Sequence, residues 1–132
     1  MVLVDTSVWI NLFRDRRTAP TDRLRRLLDE QRSFAIAPII LQEVLQGAAD
    51  EREFSLLNEY FSTQRVLTSE DPLSTHANAA RLYFDCRRRG FTPRSSIDCL
   101  IARTAVEHGV PLLHDDRDFD RIAEVFPKLK FA

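Results

Sequence analysis

Four acidic side chains stand at positions where a folded chain can use them: Asp5, Glu43, Asp98 and Asp116. Asp5 closes the short apolar run Val2-Leu3-Val4. Asp116 follows the apolar stretch Val110 to His114, within Asp115-Asp116-Arg117-Asp118. Asp98 falls in the first turn of a helix-like segment opened by Ser95-Ser96, where the helix dipole favours a carboxylate. Glu43 lies between Leu41 and Val44-Leu45, and its apolar neighbours are expected to turn it inward. Taken singly, each acid has an ordinary explanation: a turn or cap for Asp5, a helix-start acid for Asp98, solvated charges for Glu43 and Asp116. Gathered at one edge of a sheet, they would repel and raise one another's pKa values. A divalent cation removes that repulsion, and a set of hard oxygen ligands suits Mg²⁺ or Mn²⁺.

The elements that must bring these acids together follow from the pattern. Val2–Val4, Phe34–Ala37, Arg65–Leu67 and Val110–His114 read as short strands, and Lys128–Phe131 as a last edge strand. Helices are expected over Val8–Phe13, from a cap at Thr21 through Leu24, Leu27 and Leu28, from Pro38 to Gln46, and over Glu51–Phe61. Further helices run from Pro72 to Gly90, from Ser95 or Ser96 to Gly109, and through Phe119, Ile122 and Val125. The three glycines, at 47, 90 and 109, each follow such a segment and punctuate helices, not a phosphate-cradling loop. Strands alternating with helices give an α/β class: one domain over residues 1–132, a central mostly parallel sheet flanked by helices. In such a sheet ligands bind beyond the carboxyl ends of the strands. Asp5 and the Asp115–Asp116 pair stand there.

Four segments resemble the PIN-domain family. Asp5-Thr6-Ser7-Val8-Trp9-Ile10 after a short strand is similar to the family's opening. Ile40-Leu41-Gln42-Glu43-Val44-Leu45-Gln46-Gly47 resembles its glutamate-bearing segment. Asp98-Cys99-Leu100-Ile101-Ala102 resembles the third segment and Leu112-Leu113-His114-Asp115-Asp116-Arg117-Asp118-Phe119 the fourth. They occur in family order across nearly the whole chain, and the length is similar to that of VapC-type toxins of bacterial toxin–antitoxin pairs.

The resemblance implies a metal-dependent endoribonuclease whose acidic quartet falls on Asp5, Glu43, Asp98 and Asp116. These residues would bind Mg²⁺ or Mn²⁺ and hydrolyse an RNA phosphodiester to a 5′-phosphate and a 3′-hydroxyl. It also implies a supporting role for Thr6, a VapB-like antitoxin partner, and a homodimer within a larger toxin–antitoxin complex. The family often has Thr or Ser where this chain has His114, so a role for His114 beside the site stays open. Asp115 and Asp118 stay open as alternatives to Asp116, with Asp118 also a candidate cap of the last helix. A housekeeping PIN nuclease without an antitoxin, or a non-catalytic PIN-like binding module, are the other readings.

Composition bounds the rest. The chain has 132 residues, 44% hydrophobic and 30% charged, so a soluble globular core forms without disulfides or a structural metal. Cys86 and Cys99 lack the spacing of a redox pair or zinc site and read as reduced, buried thiols. No apolar run reaches the ~20 residues that cross a bilayer, and Met1-Val2-Leu3-Val4-Asp5 lacks a basic leader, so a cytoplasmic location is expected. The net charge of -1 does not advertise nucleic-acid binding. Arginines do cluster, at 14, 16, 17, 23, 25 and 26 and again at 87 to 89, and Arg14, Arg16 and Arg17 are expected to contact phosphate. Trp9 and Phe13, one helical turn apart, are expected in the core. A haloacid-dehalogenase phosphatase would need an acid at Ser7. A receiver domain would need an early acidic pair and a late strand-end lysine. A serine hydrolase would need a Gly-x-Ser-x-Gly elbow. None of these patterns is present.

Overall fold

Parallel strands must be joined by long crossovers, and here each crossover is helical. The computed structural model describes residues 1–132. In chain order the elements are β1 (Val2–Val4), α1 (Thr6–Phe13), α2 (Ala19–Asp29), β2 (Phe34–Ile36), α3 (Pro38–Gln46) and α4 (Glu51–Ser62). There follow β3 (Arg65–Val66), α5 (Pro72–Arg88), α6 (Ser96–Glu107), β4 (Leu112–Leu113) and α7 (Arg117–Val125). The four strands form one wholly parallel sheet in the order β3-β2-β1-β4. Helices cover the sheet, so its central strands are buried and read as uninterrupted apolar runs. Leu3, Val4, Ala35, Ile36 and Leu112 are each 0% exposed, within a core of 27 residues. No helix is long and apolar enough to cross a membrane.

The register places the acids. Val4 pairs with Leu113, and the Asp5 amide donates to the Leu113 carbonyl at 2.9 Å. The chain therefore leaves β1 and β4 side by side at the carboxyl end of the sheet, with Asp5 after one and His114-Asp115-Asp116 after the other. Loop 89–95 brings the chain from α5 to the Ser95 cap of α6, and α5 packs along α6.

Some boundaries differ from the sequence expectation, for local reasons. Helix α2 begins at Ala19, and its cap is Thr18, not Thr21. The two threonines form a reciprocal capping box: the Thr21 amide donates to Thr18 Oγ1 at 3.2 Å and the Thr18 amide to Thr21 Oγ1 at 2.8 Å. Pro20 fits the first turn because it has no amide to satisfy there. The expected strand Lys128–Phe131 reduces to one bridge between Phe131 and Leu112, because β4 itself is two residues long. Gly90 and Gly109 follow α5 and α6 with φ of 86° and 63°, a conformation that favours glycine, whereas Gly47 caps α3 at φ -85° and needs no such freedom. Cys86 and Cys99 are free and buried. Trp9 lies in the core, but Phe13 is 44% exposed.

Candidate active site

Asp5 is both the residue after β1 and the N-cap of α1. Its Oδ2 accepts the Ser7 amide at 3.0 Å and the Ser7 hydroxyl at 2.5 Å. Its Oδ1 is buried with no hydrogen-bond partner. Leaving a charged oxygen unmatched in a buried place is costly, so this atom calls for a cation or a proton. Burial pushes the Asp5 carboxyl above the usual range and the Glu43 charge adds to this, against the two bonds from Ser7 and a weaker pull from the Thr6 amide.

Glu43 comes from the middle of α3, one turn beyond its proline-opened start. It is half-buried, and its Oε1 accepts the Thr6 hydroxyl at 2.7 Å. Asp98 lies in the first turn of α6. Its carboxyl is pushed up to about 7, first by burial and then by the charges of Asp5, Asp116, Asp118 and Glu43. The fold therefore brings these acids into one electrostatic cluster from four separate elements.

The three acids after β4 take different roles. Asp115 turns away, its Oδ2 accepting Asn11 Nδ2 at 2.8 Å and Thr18 Oγ1 at 2.7 Å. Asp116, not Asp118, caps α7: its Oδ1 accepts the Asp118 amide at 2.9 Å, because Asp116 has the extended backbone that a cap requires. The same Oδ1 accepts Arg94 Nη2 at 2.7 Å. Asp118 is buried, and its Oδ2 accepts the Arg94 amide at 3.0 Å and Arg94 Nε at 3.2 Å. Burial pushes the Asp118 carboxyl up, but Arg94 outweighs it and holds the group below the usual range.

His114 accepts the Asp116 amide at Nδ1 (3.2 Å), which leaves the ring proton on Nε2, 3.3 Å from Asp120 Oδ1. With Phe119 and Phe131 against its ring, His114 supports the turn that presents Asp116. Arg14 is the exposed C-cap of α1, at the opposite end of that eight-residue helix from Asp5, about 12 Å of helix away. Arg17 and Arg25 pair with Asp22 and Asp15, away from the cluster. The arginine that touches the acids is Arg94, which no arginine run in the sequence marks. The available signal was a lone cation between Pro93 and the cap of the helix that carries Asp98.

No three of these side chains are drawn together at ligand spacing. The carboxylates form an open cluster. Within it, Asp5, Glu43 and Asp116 share one arrangement: one oxygen is held by a neighbour and the other is left uncommitted. Held ligands of this kind fit a hard divalent cation, which binds through a few carboxylates and keeps part of its water.

A family model of the PIN domain matches residues 2–125. The chain belongs to the PIN domain family. All four acids lie inside the matched segment. This PIN domain is 38% identical to Ribonuclease VapC11 of Mycobacterium tuberculosis over 126 residues, 95% of the chain and 93% of the relative. It stands at the same identity and coverage to VapC ribonuclease Mb1587 of Mycobacterium bovis. Its fold is shared with solved structures of VapBC2 from Rickettsia felis bound to a promoter DNA fragment (TM-score 0.73, 19% identity, 100% of this chain and 98% of that one). It is shared equally with DNA-bound VapBC from Salmonella typhimurium (TM-score 0.73, 24% identity, 99% and 96%).

Proposed function

We propose that this PIN domain is a metal-dependent endoribonuclease acting in the cytoplasm as the toxin of a toxin–antitoxin pair, with residues 1–132 as a single catalytic domain. The observation that carries the reading is the buried, unpartnered Oδ1 of Asp5 beside an Asp98 carboxyl pushed up to about 7. Relatedness to VapC ribonucleases over 95% of the chain supports the ribonuclease activity.

Asp5, Glu43, Asp98 and Asp116 would hold Mg²⁺ or Mn²⁺. A cation bound there supplies Lewis acidity, acidifying water and offsetting charge that builds on the phosphate. The chain's own residues do the rest. Ser7 fixes one oxygen of Asp5 and leaves the other, buried one uncommitted. Thr6 does the same for Glu43. Asp98, raised to about 7 in the metal-free chain by burial and the surrounding charges, is the acid whose ionised form the cation would restore. Water attacks phosphorus in line and gives up a proton to a carboxylate of the cluster, the P–O3′ bond breaks, and the 3′-oxygen takes a proton from solvent, leaving 5′-phosphate and 3′-hydroxyl ends.

The partner would be a VapB-like antitoxin, with two toxin copies in the assembly. The rims of α1 and α4 offer apolar surface for it, since Phe13 and Tyr60 pack on Trp9 yet are 44% and 39% exposed. The test is cleavage of single-stranded RNA by purified protein with Mg²⁺ or Mn²⁺, expected to stop with EDTA and in Asp5→Asn. Cleavage that persists in EDTA rejects the metal mechanism.

A further inference from the structure

Arg94 sits on the loop between α5 and α6, immediately before the Ser95 cap. Two of its donors, the main-chain amide and Nε, are fixed on Oδ2 of buried Asp118. Its far end, Nη2, reaches Oδ1 of Asp116. The side chain is nonetheless 74% exposed. A guanidinium carries five N–H donors in a planar fork, and two of the side-chain donors are used here, so the rest open to solvent beside the acids.

The electrostatics point the same way. An RNA backbone approaching Asp5, Glu43, Asp98 and Asp116 meets a cluster that one dication leaves with excess negative charge. A fixed cation at its rim offsets that repulsion. Asp116 is also one of the carboxylates that would hold the metal, so a bound dication competes with Nη2 for it and repels the guanidinium. The anchor on Asp118 keeps Arg94 at the site when that contact is given up, and the freed N–H groups match the paired oxygens of a phosphate.

Resting on the ribonuclease reading above, we propose that Arg94 is the phosphate-binding residue of the site, anchored by Asp118 and released from Asp116 when the cation binds. Asp118 is then the anchor of a substrate-binding side chain, not a metal ligand.

The test uses Arg94→Gln and Arg94→Lys, both of which keep the main-chain bond to Asp118. Mn²⁺ is titrated against melting temperature, and single-stranded RNA of mixed sequence is bound at several salt concentrations in Ca²⁺, with the RNA checked intact on a gel. Arg94→Gln should keep the full Mn²⁺ stabilisation, bind RNA more weakly, and show a salt slope shallower by about 0.7, the loss of one phosphate contact on a single strand. Arg94→Lys should keep the slope, because it keeps the charge. A wild-type slope in Arg94→Gln overturns the inference. Loss of the Mn²⁺ shift in either variant also overturns it, and makes Arg94 a brace for Asp116 alone. If the wild type itself shows no EDTA-sensitive cleavage and no Mn²⁺ shift, the ribonuclease reading falls with it. If the wild type shows both and Arg94→Gln binds RNA normally, only the role of Arg94 falls.

Discussion

The Thr6 hydroxyl donates to Glu43 Oε1 at 2.7 Å, tying the first turn of α1 to the middle of α3. Thr6 is buried and Glu43 half-buried, so the bond is partly shielded from water. It orients a carboxylate that would otherwise swing with the rotamers of a long side chain. Thr6→Val keeps the shape and removes the donor. Supporting partners of this kind are worth about 10–100-fold in metal affinity, and a loss in that range is expected, read by Mn²⁺ titration. Wild-type affinity in Thr6→Val would mean Glu43 needs no orientation from Thr6.

Asp98 makes both stability and metal binding depend on pH. Its carboxyl is raised from 3.8 to about 7 in the folded chain. Between those values the native state binds the proton and the unfolded state does not. The metal-free protein should therefore lose stability as pH rises from about 4 to about 7. Asp98→Asn removes the Asp98 share of that slope, leaving the share of Asp5, whose carboxyl is also raised, and above pH 7 it should be the more stable protein in EDTA. The cation competes with the same proton, so Mn²⁺ affinity should climb with pH up to about 7 and then level off. Melting curves of both proteins across pH, with and without Mn²⁺, check the sign. A metal-free stability that rises from pH 5 to 7 equally in both would show that Asp98 is not the perturbed group.

Much of this was legible in the sequence because it rests on local rules. Val2-Leu3-Val4 is apolar because its strand is covered on both faces, and Asp5 ends that strand because a cap must follow. Pro38, Pro72 and Ser95 mark helix starts for the same kind of reason. Positions set by distant contacts were less legible. Thr18 and Thr21 are near-equivalent capping residues, and the presence of Ala19-Pro20 in the first turn decides between them. Asp115, Asp116 and Asp118 look alike in sequence. They part only when Asn11 and Thr18 draw the first away and Arg94 holds the third. Arg94 carries no motif, and its role depends on a loop meeting a turn 22 residues further along.

The three acids after β4 separate experimentally. Asp116→Asn should abolish cleavage, because it alters a carboxylate facing Asp98. Asp115→Asn should keep cleavage but lose about 1–3 kcal/mol of stability through its weakened bonds to Asn11 and Thr18. Asp118→Asn should keep the Mn²⁺ shift while loosening Arg94. The measurement is single-turnover cleavage alongside denaturant unfolding. A fully active Asp116→Asn beside an inactive Asp115→Asn reverses the assignment.

A cation that binds the folded site and not the unfolded chain stabilises it by mass action, about 2.7 kcal/mol at a hundredfold excess over Kd. Wild type should show this rise with Mg²⁺ or Mn²⁺. Asp5→Asn should show much less, since it withdraws the one buried oxygen that has no other partner. Equal shifts in both proteins would place the cation elsewhere on the surface.

The last expectation concerns how such an enzyme is restrained. On the proposed toxin reading, an uncontrolled ribonuclease would harm the cell that makes it, so a partner would have to close the site when nuclease activity is unwanted. A tail that folds on binding gives up part of its affinity to ordering, and it therefore needs anchors of high complementarity. The acidic cluster offers one: a basic side chain from the partner among Asp5, Asp98 and Asp116 would exclude both cation and phosphate. The exposed rims of Phe13 and Tyr60 offer an apolar one. Co-expression separates the possibilities. Wild type alone should arrest growth and Asp5→Asn should not, and the small gene beside it should restore growth and co-purify. Phe13→Asp should weaken that co-purification without touching cleavage, because Phe13 packs on Trp9 at the far end of α1 from Asp5. A harmless wild type with no co-purifying partner would leave a housekeeping nuclease in place of a toxin.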